Sequence, residues 1–103
     1  MPTGVLGQAA PAASTLTTVY TVPSAKTAVF NVNIVNTTGS PIAARLAIAT
    51  TATPGLAEYI EYDTLIPGNG VLERGGIVAQ AAENVVVFAS GAGLSVSVYG
   101  YEE

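Results

Sequence analysis

The chain contains no cysteine, no histidine and no tryptophan. Without cysteine there is no disulfide and no thiolate metal site. Without histidine, triads that use an imidazole base and His-rich zinc sites are excluded. Basic residues are nearly absent: Lys26, Arg45 and Arg74 stand against seven acidic residues, for a net charge of −4. Three scattered cations form neither a stripe for a phosphate backbone nor a cluster for anionic lipid. Neither nucleic acid nor a membrane is therefore an expected partner. No apolar run is long enough to cross a bilayer as a helix. Residues 1–8 lack the basic start and apolar core of an export signal, so the chain is expected to be made in a cytoplasm. Asn36-Thr37-Thr38 fits a glycosylation acceptor but sits in a turn cluster.

What remains is apolar. Half of the 103 residues are hydrophobic and only 10% are charged. A chain of this length makes one domain, with a large surface for its volume. Seven acids and three bases cannot cover that surface, so much of it must be Ala, Thr, Ser, Val and Gly. Such a surface favours burial against copies of the chain or against a large partner.

Residues 1–16 are rich in Ala, Gly, Pro, Ser and Thr and read as an extended N-terminal arm. Residues 17–103 have β texture. Thr17–Val22 is β-branched and aromatic and stops at Pro23-Ser24. From Thr27 to Asn36, Ala28, Phe30, Val32 and Ile34 form the cleaner apolar face of a period-two strand. After the turn cluster 36–41, Ile42, Ala44, Leu46 and Ile48 repeat the alternation, and the two runs together predict an antiparallel hairpin. Leu56–Thr64 opens like a helical turn and continues like a strand. Val71–Arg74 and Ile77–Ala79 read as short segments broken by Gly75-Gly76. Asn84–Ser90 and the alternating run from Leu94 to Tyr99 complete seven or eight strands. The expected fold is all-β: a single small antiparallel β-sandwich, jelly-roll or immunoglobulin-like in its pairing.

The one acidic concentration is Glu58-Tyr59-Ile60-Glu61-Tyr62-Asp63. On a regular strand Tyr59, Glu61 and Asp63 share a face, with Glu61 and Asp63 about 7 Å apart. Two carboxylates at that separation suit acid–base glycoside hydrolysis or, with carbonyls, a bound cation. A small domain without Trp walls is a poor host for a sugar cleft, so neither a catalytic residue nor a metal or other cofactor is assigned. The glycine-rich turns lack a following Lys and a βαβ setting, which excludes phosphate-loop chemistry. The residues kept as interface candidates are Tyr59, Glu61, Tyr62, Asp63, Glu73, Arg74, Tyr99 and Tyr101. Tyrosine supplies apolar area with a polar tip, and a Glu73-Arg74 ion pair to a neighbour would orient a contact. Asn31 and Asn33, on one strand face, could hydrogen-bond across a subunit boundary.

The run Val19-Tyr20-Thr21-Val22-Pro23-Ser24-Ala25-Lys26-Thr27-Ala28-Val29, followed by Asn31-Val32-Asn33-Ile34-Val35-Asn36, resembles the opening of small β-sandwich virion proteins of tailed bacteriophages. So does Glu58–Asp63 followed by a Pro-Gly-Asn-Gly turn, Val71-Leu72-Glu73-Arg74 and a Gly-Ile-Val strand. The likeness spans residues 17–103 and is closest to short structural proteins of marine and cyanobacterial phages. The resemblance implies a non-enzymatic role on the capsid surface as a decoration (cement) protein, often a homotrimer, with the major capsid protein as partner. Its alternative is a tail-fibre or baseplate module that binds host surface glycans.

Overall fold

A computed structural model of the chain describes residues 3–103. Eight strands lie among them: β1 (Thr3–Ala9), β2 (Thr17–Thr21), β3 (Ala28–Asn36), β4 (Ile42–Ala49), β5 (Tyr59–Ile66), β6 (Val71–Ala79), β7 (Asn84–Ala89) and β8 (Leu94–Glu102). They form two four-stranded antiparallel sheets, ordered β1-β8-β3-β6 and β2-β7-β4-β5. The chain is therefore a small β-sandwich. First pairs with last (β1 with β8), then β2 with β7, β3 with β6 and β4 with β5. That nested order is the jelly-roll winding rather than the immunoglobulin one.

Period two decides which side chains go inside. Ala28, Phe30, Val32 and Ile34 of β3 and Leu94, Val96 and Val98 of β8 face Ile42, Ala44 and Leu46 of β4 and Val85, Val87 and Ala89 of β7. All of these are buried. Most of the inner residues are small or β-branched, with Phe30, Leu46 and Leu94 as the larger fillers, so two twisted sheets can approach closely and interdigitate. Removal of each large one from water contributes roughly 1.5–3 kcal/mol.

Three expectations are corrected. The runs 27–36 and 42–49 are strands, as expected, but they do not form a hairpin: β3 and β4 lie in different sheets. The linking turn crosses the sandwich, and buried Asn36 holds it. Its amide donates to the carbonyls of Ser40 (2.7 Å) and Ile66 (3.1 Å), while its oxygen accepts from Thr38 N–H (2.9 Å). Alternation is the same for an in-sheet hairpin and for an arch between sheets, so the sequence pattern does not separate them. Second, Gly75-Gly76 does not break a strand. β6 runs through it as a bulge opposite Asn31, where Gly76 takes φ +69° and its N–H donates to Asn31 Oδ1 (3.1 Å). Third, residues 3–9 of the expected arm are extended but belong to the sandwich, as edge strand β1 paired along β8. Its side chains are exposed or half-buried, which is why it read as an arm; residues 1 and 2 lie outside the described residues. The Leu56–Glu58 opening is a single 3-10 turn, and β5 follows at once.

One polar bond joins the sheets on the β1–β2 side. Tyr20 of β2 lies edge-on to Phe30, and its hydroxyl donates to the carboxylate of Glu102, a buried residue opposite Ala28. Burial is the main cause that pushes the Tyr20 hydroxyl pKa up, with Glu102 adding to it. The folded state thus retains the Tyr20 proton more tightly than the unfolded chain does. The resulting stability is fully present below pH 10.0, the ordinary tyrosine value, and is lost as pH rises beyond it. Tyr20→Phe leaves Glu102 without this donor and is expected to cost about 1–3 kcal/mol in urea unfolding near pH 7. The same variant should lose less stability than wild type between pH 9 and pH 11; an equal loss in both would rule out Tyr20 as the source.

Candidate functional site

The acidic segment falls on β5, and its geometry departs from a regular strand. Opposite β4, Leu46 pairs with Glu61 and Ala44 with Thr64, so Arg45 faces two residues, Tyr62 and Asp63; a second shift leaves Ile60 unmatched. Asp63 takes φ +53° to make the first bulge. The bulges redistribute the side chains. Glu61, opposite core residue Leu46, turns toward the space between the sheets. There it accepts from Thr64 Oγ1 (2.5 Å) and from Arg74 Nη1 (2.9 Å). Arg74 sits on β6 opposite Val32 and faces the same space. This ion pair joins the two sheets along the β5–β6 edge.

Tyr59, Tyr62 and Asp63 go to the outer face of the β2-β7-β4-β5 sheet. Val85, Val87 and Ala89 of β7 point into the core, so Phe88 points out, and Arg45 pairs with it. The Arg45 guanidinium lies 4.2 Å from the Tyr62 ring centre and 4.7 Å from that of Phe88. It also donates to both oxygens of Asp63, at 2.6 and 3.2 Å. Tyr59 meets Tyr62 edge-on with centroids 5.0 Å apart. Beside this group Val86 and Ala47 are buried although they stand outside the core between the sheets. The outer face thus carries its own small packed layer of aromatic rings around a neutralised cation, with Tyr62 50% exposed.

The hydrogen bonds from Arg45 hold the Asp63 carboxyl below its ordinary value, and the same bonds raise the Arg45 guanidinium. Glu58 is also lowered, by the backbone N–H groups of Gly55 (2.8 Å) and then Thr50 (3.1 Å), which its carboxylate accepts. The expected pairing of Glu61 with Asp63 on one face is therefore corrected: the bulge sends them to opposite sides of β5, each bound to a different arginine. The expected Glu73-Arg74 unit also divides. Arg74 turns inward to Glu61, while Glu73 stays exposed on the outer face of the β1-β8-β3-β6 sheet. Tyr99 and Tyr101 lie on that same outer face, opposite Asn31 and Val29.

Arg45 and Phe88 were not among the residues singled out from the sequence. Their signal was the single charge in β4 at an outward position, with an aromatic at an outward position of β7, but which strands neighbour each other is a tertiary fact. Among the described residues no pocket is found and no three Asp or Glu side chains gather as a metal site. No described helix is long and apolar enough to cross a membrane. Comparison of the chain with protein-family models, curated proteins and solved structures finds no match.

The Arg45–Asp63 pair has a pH signature. Asp63 has a depressed folded pKa, so its contribution is present above pH 3.8, its ordinary value, and is lost as pH falls through the lower folded value. An NMR titration of the Asp63 carboxyl should give a midpoint below 3.8 that returns toward 3.8 in Arg45→Gln. A wild-type midpoint at or above 3.8 contradicts the pairing.

Proposed function

We propose that this chain is a non-enzymatic virion structural protein, a capsid decoration protein that binds the assembled shell of major capsid protein and stabilises it. The observation that carries this reading is the pair of broad, charge-poor outer faces on a small jelly-roll sandwich. Tyr62, Leu65, Val5, Val71, Val78 and Tyr101 are all exposed on a domain whose core is complete without them. Large exposed apolar area in a soluble domain favours association. Jelly-roll sandwiches recur in viral capsids, which adds support by analogy of fold alone. The resemblance of residues 17–103 to phage virion proteins supports the same placement.

The mechanism is mass action. A protein that binds only the assembled shell adds RT ln(1 + [L]/Kd) at each site, about 2.7 kcal/mol at a hundredfold excess over Kd. Repeated over a lattice, this opposes pressure from packaged DNA. The Arg45–Tyr62–Tyr59 face is the proposed contact, because its rings are fixed in place before binding and lose little freedom on docking.

A second reading rests on the same aromatic layer. The exposed Tyr62 ring beside a planar Arg–carboxylate pair can stack on a sugar, and the pair can hydrogen-bond its hydroxyls, as a glycan-binding tail module would. The two separate in experiment. Purified protein added to undecorated particles should appear by cryo-electron microscopy on the shell and raise the temperature of DNA release, and Tyr62→Ala should reduce occupancy at least tenfold. Density confined to the tail, together with saturable binding on a glycan array, would replace the first reading with the second.

A further inference from the structure

The outer face of the β1-β8-β3-β6 sheet mixes exposed valines and tyrosines with polar residues that are almost all uncharged. Antiparallel sheets with one wet face carry polar residues there. Here the strand register builds successive outward rows. One is Thr3, Tyr101, Val29 and Val78; the next is Val5, Tyr99, Asn31 and the Gly75-Gly76 bulge. A third is Gln8, Ser97, Asn33 and Glu73. Val5 is 62% exposed, Val78 63% and Tyr101 41%. Glu73 is the single charge in these rows.

We infer that this face pairs with the same face of a second copy, about a two-fold axis parallel to the strands. Such an axis keeps each row on its own row and reverses the strand order, so β8 lies over β3 of the copy and β1 over β6. The rows are complementary under that operation. Val5 projects over the Gly75-Gly76 bulge, where a Cβ on Gly76 would meet nothing within 4 Å. Tyr101 covers Val29. Ser97 lies over Asn33, in the same row. Gln8 brings an amide donor to Glu73, the face's one carboxylate. Projection meets hollow, apolar meets apolar, and donor meets acceptor.

The area is sufficient. Strands of seven and nine residues at about 3.3 Å per residue and 4.8 Å apart make a face of roughly 500 Å². Two such faces bury about 1,000 Å², the lower limit of a specific interface. The pairing also leaves the Arg45–Tyr62 face free for another partner. It differs from the trimer that the resemblance implies, and it does not depend on placement on a capsid.

Sedimentation equilibrium of the purified chain tests it. The expected species has about twice the 10.3 kDa chain mass, in exchange with single chains. Gln8→Glu sets like charges against Glu73 of the copy and should weaken pairing about tenfold, a change worth ~1.4 kcal/mol. Adding Glu73→Lys to Gln8→Glu should restore it. Within one chain Gln8 and Glu73 are three strand spacings apart, about 14 Å, so rescue reports contact between copies. Circular dichroism checks that each variant keeps its fold. A single chain at all concentrations, a stable trimer, or Gln8→Glu weakening without rescue would overturn the pairing. Failure of the wild-type chain to bind undecorated shells, while it still pairs, would count against the decoration role and leave the pairing intact.

Discussion

The rest of the structure depends on the closing of two apolar inner faces upon each other. Neither sheet is stable by itself, because each must remove a row of Val, Ile, Leu and Ala from water. The chain meets this need by changing sheet at every connection except the one between β4 and β5. Neighbours in sequence thus face each other across the core, and the hydrogen-bonded neighbours come from distant segments. The buried amide of Asn36 is a consequence: a chain that crosses between layers leaves backbone groups inside, and a side chain must satisfy them.

Closure also explains the inward charges. A sandwich is open along its flanks, where the outermost strands of the two sheets meet without a backbone ladder. On one flank Glu61 and Arg74 join β5 to β6; toward the other, Tyr20 reaches Glu102 from β2 to β8. Of ten charged residues in the chain, three are spent on these links, and Arg45 and Asp63 neutralise each other. That leaves few charges to keep the outer faces wet. The low charge of the outer faces follows in this way from the geometry of the flanks, and the two outer faces differ in kind. One is a layer of rings around an arginine, the other a set of strand rows of Val, Tyr, Asn and Ser.

Much of this was legible in the residues. Ala28, Phe30, Val32 and Ile34 were readable as an inner face because burial on one side of a strand imposes period two, and so were Leu94, Val96 and Val98. What was not legible involved departures from period two. The bulges at Ile60 and Asp63 sent Glu61 and Asp63 apart, and no local signal announced them, since Asp is tolerated rather than required at positive φ. Gly75-Gly76 did signal, but a glycine pair marks a bulge and a break alike. β1 was hidden because its Gly, Thr and Gln bury no side chain completely; backbone hydrogen bonds to β8 hold it, and these leave no trace in residue type.

The sequence by itself determined the layer architecture, the inner residues and the shortage of charge, because each follows from local alternation and composition. Only the tertiary structure decided which strands are neighbours and therefore which side chains meet. Arg45 finds Phe88, Tyr20 finds Glu102 and Glu61 finds Arg74 because the jelly-roll winding brings together segments separated by 13 to 82 positions. Pairing between strands is specified by the sum of all contacts in the core, and no single segment carries that information.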